Sequence, residues 1–111
     1  MIGEPAPYDM KALALRRRTD LPAGWRPVYE RLVERLSSLP RTPGLAVVTM
    51  RDGHLHVQLA SPDSIAQAMI DEATGECCRT CESCGHEGVF CRSGMNWAVR
   101  CPAHQLRHWK R

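Results

Sequence analysis

Thr80-Cys81-Glu82-Ser83-Cys84-Gly85, and further on Cys101-Pro102-Ala103-His104, are the two short segments whose reading organises this 111-residue chain. A Cys-x-x-Cys turn can grip one metal ion with both sulfurs while its backbone N–H groups point at the thiolates, and a glycine just after it relieves the tight turn. Cys78 and Cys81 form an overlapping pair with the same spacing; Gly85 favours Cys81 and Cys84, with Cys78 as the alternative ligand. Cys101-x-x-His104 has the spacing of two ligands offered from the start of a helix. Between the halves, 88–92 and 96–100 read as two short strands around the Ser93-Gly94 turn, and 103–111 read as helical. Knuckle, hairpin and ligand-bearing helix make a treble-clef layout. Three thiolates and one imidazole suit tetrahedral zinc. Four protein ligands leave no place for water, so the predicted role of the zinc is structural, at Cys81, Cys84, Cys101 and His104.

The six cysteines all lie in 77–111. A disulfide scaffold is the first competing explanation. Met1–Arg18 has neither an apolar core nor a cleavage site, so the chain reads as cytoplasmic, where disulfides are rare. A thioredoxin-like dithiol would need its pair between a strand and a helix of an α/β unit, which is missing here. Cys77, Cys78 and Cys91 read as small buried residues, and His86 and His108 as surface histidines.

Upstream of the cysteines, Leu21-Pro22-Ala23-Gly24 is a turn signal that opens a helix. Trp25, Val28, Tyr29, Leu32, Val33 and Leu36 recur at three- and four-residue steps, giving one apolar stripe. Arg26 with Glu30, and Arg31 with Glu34, would pair on its outer side. Pro27 fits the first turn and Pro40 ends the element. Asp52-Gly53 then joins strands 45–51 and 54–60 in a hairpin. Leu55, Val57 and Leu59 point to the core and His54, His56 and Gln58 to water. Ser61-Pro62-Asp63 starts a second helix with Ser61 as cap; its apolar face is Ile65, Ala66, Met69, Ile70 and Ala73, and Gly75 ends it. The predicted fold class is therefore α+β: an arm over 1–20 with a short helix at Asp9–Arg18, a helix–hairpin–helix unit over 21–76, and a zinc-finger module over 77–111.

Composition sets limits on this plan. Three Trp, two Tyr and one Phe are few aromatic residues, so the core is small and a metal would supply much of the stability. No run of apolar residues is long enough to span a membrane. The net charge of +3 is thin for a dedicated nucleic-acid binder. It is gathered, however, into the run Arg16, Arg17 and Arg18 and a second run around His108; Arg16, Arg17, Arg18, Arg107, Lys110 and Arg111, with Trp109 as a stacking platform, are the candidate partner contacts. Simple solvation of both runs is the competing reading. Trp97 and Leu106 are assigned to packing of the finger.

Catalytic patterns are sparse. His54 and His56 share one strand face but lack a visible third group. Ser61, His56 and Asp63 could form a triad on paper without a nucleophile-elbow sequence. Phosphate-binding glycine loops are absent. Where HNH-type nucleases carry a catalytic His on the treble-clef hairpin, this hairpin has Asn96 and Trp97.

Gly24-Trp25, then Thr80, Cys81, Cys84, Gly85 and Gly88, then Trp97, Cys101 and His104 resemble the signature of a widespread set of small bacterial and phage zinc-finger proteins without an assigned activity. The similarity covers roughly 24–104. It implies the same zinc ligands, the same helix–hairpin–helix plus finger, and a phage or mobile-element setting. Those proteins carry a basic, aromatic, double-glycine stretch where this chain has Thr49-Met50-Arg51-Asp52-Gly53-His54. The combined expectation is a non-enzymatic zinc-stabilised module that binds another protein, such as a host factor. Nucleic-acid binding is the alternative, and an enzyme using the His54/His56 face is third.

Overall fold

The computed structural model describes residues 7–93 and 96–104. Helix α1 (Pro7–Arg16) leads through a 3-10 turn at Arg17–Asp20 and another at Ala23–Trp25 into α2 (Arg26–Ser37). Strands β1 (Leu45–Arg51) and β2 (His54–Leu59) form one antiparallel hairpin; α3 (Ser64–Cys77) follows, then a second antiparallel hairpin, β3 (Val89–Ser93) and β4 (Asn96–Arg100). The α+β class is thus present, built from helices and two separate two-stranded sheets. No helix among the described residues is long and apolar enough to cross a membrane.

The apolar stripe of α2 behaves as its spacing requires: Trp25, Val28, Tyr29, Leu32, Val33 and Leu36 are all buried. They meet Val48, Leu55 and Val57 from the first hairpin and Ala66, Ile70, Ala73 and Cys77 from α3 in one core. Asp52 and Gly53 both adopt positive φ, 50° and 76°, which gives the turn a twist matching that of the strands. Val48 faces Val57 and Arg51 faces His54 across the hairpin, with a register shift between Leu45 and Val47.

Several local expectations are corrected. The cap of α3 is Asp63 rather than Ser61: its Oδ1 accepts from the N–H groups of Ile65 and Ala66, each at 3.0 Å. A carboxylate there satisfies two orphan donors and meets the positive helix end, which a serine two residues earlier cannot reach. Gly75 does not end the helix, because continuing to Cys77 places that side chain on the Ala66–Ile70–Ala73 stripe, fully buried. Ile65 falls off the stripe and is 61% exposed. The proposed pairs within α2 give way to pairs between helices: Arg31 binds Glu76, Arg35 reaches Glu72 at 2.5 Å, and Glu34 meets Lys11 at 2.6 Å. Long side chains on adjacent helices find these partners across the gap between them. Such exposed pairs contribute little energy. The N-terminal segment also docks: Tyr29 Oη donates to the carbonyl of Ala14 at 2.6 Å, and Ala14 and Leu15 pack against the core.

Candidate metal centre

The end of α3 delivers the chain into the knuckle. The N–H of Cys78 donates to Thr74 O and that of Thr80 to Cys77 O, closing the helix. The Cys81 N–H then donates to His86 O at 2.7 Å and the Gly85 N–H to Cys81 O at 2.9 Å, folding Cys81–His86 into a tight loop. Gly85 sits at φ 83°, where a side chain would be strained, so the glycine that selected this pair in the sequence has a conformational role. Glu82 N–H donates to Val99 O at 2.9 Å, and Arg100 pairs with the buried Glu82 carboxylate at 3.0 Å while reaching Ser83 Oγ. These bonds fasten the knuckle to β4, whose next residue is Cys101. A 3-10 turn at Pro102–His104, closed by His104 N–H to Cys101 O, swings the imidazole back over the thiols.

Cys81, Cys84, Cys101 and His104 come together with one ligand atom each, all within 4.8 Å of one another. Cys84 Sγ lies 3.5 Å from Cys101 Sγ, and His104 Nδ1 lies 3.1 Å from Cys101 Sγ and 3.8 Å from Cys81 Sγ. A tetrahedral ion bound at about 2.3 Å by sulfur and about 2.0 Å by nitrogen spaces neighbouring donors about 3.5–3.8 Å apart. The donor set therefore fits such an ion, and this cluster can hold a metal. Burial pushes the Cys81 thiol up, but hydrogen bonds from the backbone of Cys101, Cys84 and Ser83 and from the Cys84 side chain outweigh it and bring it down to about 6. The knuckle backbone thus favours a thiolate at Cys81, while at Cys84 a backbone hydrogen bond from His86 is outweighed by desolvation and by Cys101 and Cys81 beside it, which push that thiol up.

The remaining cysteines separate cleanly. Cys77 is buried in the core and its thiol is pushed up to about 12, first by burial and then by Glu76 and Cys78, so it stays protonated. Cys91 is buried and donates to Val89 O. Cys78 caps α3 away from the cluster. Cys77→Ala and Cys78→Ala are expected to keep full metal content, measured by native mass spectrometry. Metal loss from Cys78→Ala alone would shift the ligands to the Cys78–Cys81 pair.

Other candidates fare differently. His54 and His56 stay on the outer strand face, and among the described residues no third ligand joins them. Asp63 is occupied as a helix cap, away from any triad role. Arg17 pairs with Asp20 and Arg18 donates to Leu15 O, while Arg16 is exposed. Arg107, Trp109, Lys110 and Arg111, with the helix expected over 103–111 beyond His104, lie outside the described residues. Trp97 stacks on Phe90, as its packing role requires, yet stays 38% exposed, while Val99 on the same strand enters the core.

Two further features border the site. His86 Nδ1 stands 3.2 Å from Cys84 Sγ, next to the least covered ligand. Gly24 and Trp25 dock on the knuckle: Gly24 N–H donates to Glu82 O at 2.8 Å and the Trp25 indole N–H to Thr80 O at 2.9 Å. The signal for the second was a glycine beside the largest side chain of the helix stripe. No protein-family model, no curated protein and no solved structure matches this chain.

Proposed function

We propose that the chain is a non-enzymatic interaction module folded around a structural zinc ion held by Cys81, Cys84, Cys101 and His104. The observation that carries this reading is the convergence of four protein donors, because a filled tetrahedral shell offers no position for substrate or water. Three sulfurs and one imidazole favour zinc over hard, oxygen-seeking cations. The order knuckle, β3–β4 hairpin, Cys101–His104 turn supports a treble-clef-like finger. None of the six cysteines is paired in a disulfide, which leaves Cys81, Cys84 and Cys101 available as ligands. An ion of this kind contributes on the order of 10 kcal/mol to folding, comparable with the whole stability of a small domain. A net charge of +3 would by itself favour a protein partner; the distribution of that charge favours another.

Metal analysis of the purified chain tests this reading. One zinc per chain is expected, with cobalt substitution giving the intense visible bands of a tetrahedral thiolate site. A protein that folds equally well without metal and takes up none would overturn it. A bound ion with an exchangeable water would do so too, by opening a catalytic position.

A further inference from the structure

The first hairpin touches the second at its turn. Gly53 is buried there, and a Cβ on it would stand 2.8 Å from Phe90 Cε2 and 3.1 Å from the Trp97 carbonyl carbon. From this contact a ladder of flat groups runs outward. The His54 ring lies 4.8 Å from Phe90, Phe90 stacks on Trp97 at 4.9 Å with 18° between planes, and the Arg92 guanidinium carbon sits 5.3 Å from the Trp97 centroid. Trp25 shows how this chain treats an aromatic meant for the core, with 0% exposure and its N–H bonded; Trp97 keeps 38%. His54, Arg92 and Arg51 are exposed. Arg51 is the cross-strand partner of His54, so the two leave the same sheet face.

Charge is divided in the same way. None of the four strands contains Asp or Glu, whereas they hold Arg51, Arg92, Arg100, His54 and His56. Among the described residues the acids lie outside these strands, Glu87 in an isolated bridge to Thr80; Glu34, Glu72 and Glu76 are matched by Lys11, Arg35 and Arg31, and Glu82 by Arg100. Asp52, in the turn itself, is the acidic residue next to the ladder in sequence. The small net charge is therefore a neutralised helical layer plus a cationic, aromatic strand face. An acidic protein would meet the arginines but gives the ladder no plane to extend it. A duplex keeps its bases stacked inside and offers mainly phosphates. A single strand supplies planar bases and phosphates together, and bases stack on aromatic rings and on guanidinium planes alike.

We propose that this face binds single-stranded nucleic acid, with bases adding to the ladder at its Trp97–Arg92 end and phosphates lying against Arg51 and Arg92. The proposal rests on the module reading, since the metal centre anchors Cys101 and with it the strand that carries Trp97. The test is fluorescence anisotropy of the full zinc-loaded chain with oligothymidylate, oligouridylate and a duplex of equal length, metal content being measured on the same samples. Single strands are expected to bind more tightly than duplex. Trp97→Ala should weaken binding by on the order of tenfold. Arg51→Gln and Arg92→Gln should each flatten the log–log salt slope by about 0.7 for a lost phosphate contact, with every ring left in place. Arg35→Gln, on the helical layer, should change nothing. Preference for oligouridylate assigns RNA and the reverse assigns DNA. Equal affinity for duplex, absence of binding by fully metal-loaded protein, or parent-like binding by both Trp97→Ala and Arg92→Gln would overturn the proposal. So would Arg92-dependent binding of polyglutamate in place of either oligonucleotide, which would assign the face to a protein. Oligonucleotide binding by chain that holds no zinc would instead remove the zinc reading and leave this one standing.

Discussion

Cys81→Ser is expected to yield a chain that binds no zinc at neutral pH and shows no cooperative unfolding of the knuckle. Cys81 is fully buried and is the ligand whose thiolate the backbone prepares. A serine hydroxyl stays protonated at neutral pH and is a poor zinc ligand, so the substitution removes a donor without removing volume. The loss is on the order of the 10 kcal/mol that a structural zinc supplies. It should therefore appear as a missing thermal transition rather than a shifted one. The Cys84 position gives a graded comparison: Cys84 is exposed, and Cys84→Ser is expected to weaken zinc binding less severely. Full zinc occupancy in Cys81→Ser, read by native mass spectrometry, would refute the ligand assignment.

The same variant measures how far the finger and the helical unit depend on each other. A boundary after residue 76 would leave the helices folded when the finger melts. Yet Cys77 and Val99 belong to the same core as α2 and α3, and the indole of Trp25 is bonded to Thr80. Trp25 near-UV circular dichroism is therefore expected to change along with zinc loss. An unchanged Trp25 signal would show that 21–76 stands without the finger.

What the sequence made legible follows a physical rule: patterns that repeat along the chain were readable and contacts between distant segments were not. The α2 stripe, the Asp52-Gly53 turn and the two short pairs Cys81/Cys84 and Cys101/His104 are periodic or closely spaced features, and the pairs come together in a cluster that can hold a metal. The cap of α3 slipped from Ser61 to Asp63 because both residue types cap well and only the geometry of the turn chooses between them. Gly75 was read as a stop because glycine is a weak helix former, but burying Cys77 outweighs about 1 kcal/mol of propensity. A tryptophan in the hairpin predicts packing of the finger against the helical unit, and Trp97 does stack on Phe90 while keeping 38% exposure. Its backbone lies against Gly53 of the other hairpin, a contact that no local window contains.

Gly24→Ala should be the most damaging substitution of a residue that binds no metal. Gly24 is not a positive-φ glycine, so backbone freedom is not the reason for it. The reason is space. A Cβ at Gly24 would stand 2.0 Å from Cys81 O, 2.7 Å from Gly85 N and 2.8 Å from Glu82 C, all backbone atoms of the knuckle. A flexible side chain could swing away from such an intrusion, but backbone bound into a metal loop cannot. On the facing side, a Cβ at Gly85 would meet Gly24 O at 3.3 Å, so the two glycines let the two backbones approach each other. One methyl group must therefore push the Ala23–Trp25 turn off the knuckle, stretching the Gly24–Glu82 and Trp25–Thr80 hydrogen bonds. Overpacking of this kind costs about 3 kcal/mol. In a domain of this size that lowers the melting temperature by on the order of 15 °C. Zinc content should stay at one per chain, because all four donors remain and the loop can close around the ion alone. Stability lost with metal retained is the signature that separates a docking glycine from a ligand-shell residue. Differential scanning calorimetry with metal analysis on one sample reads both, and a Gly24→Ala chain that melts with the parent would mean that the Gly24 turn does not seat against the knuckle in solution.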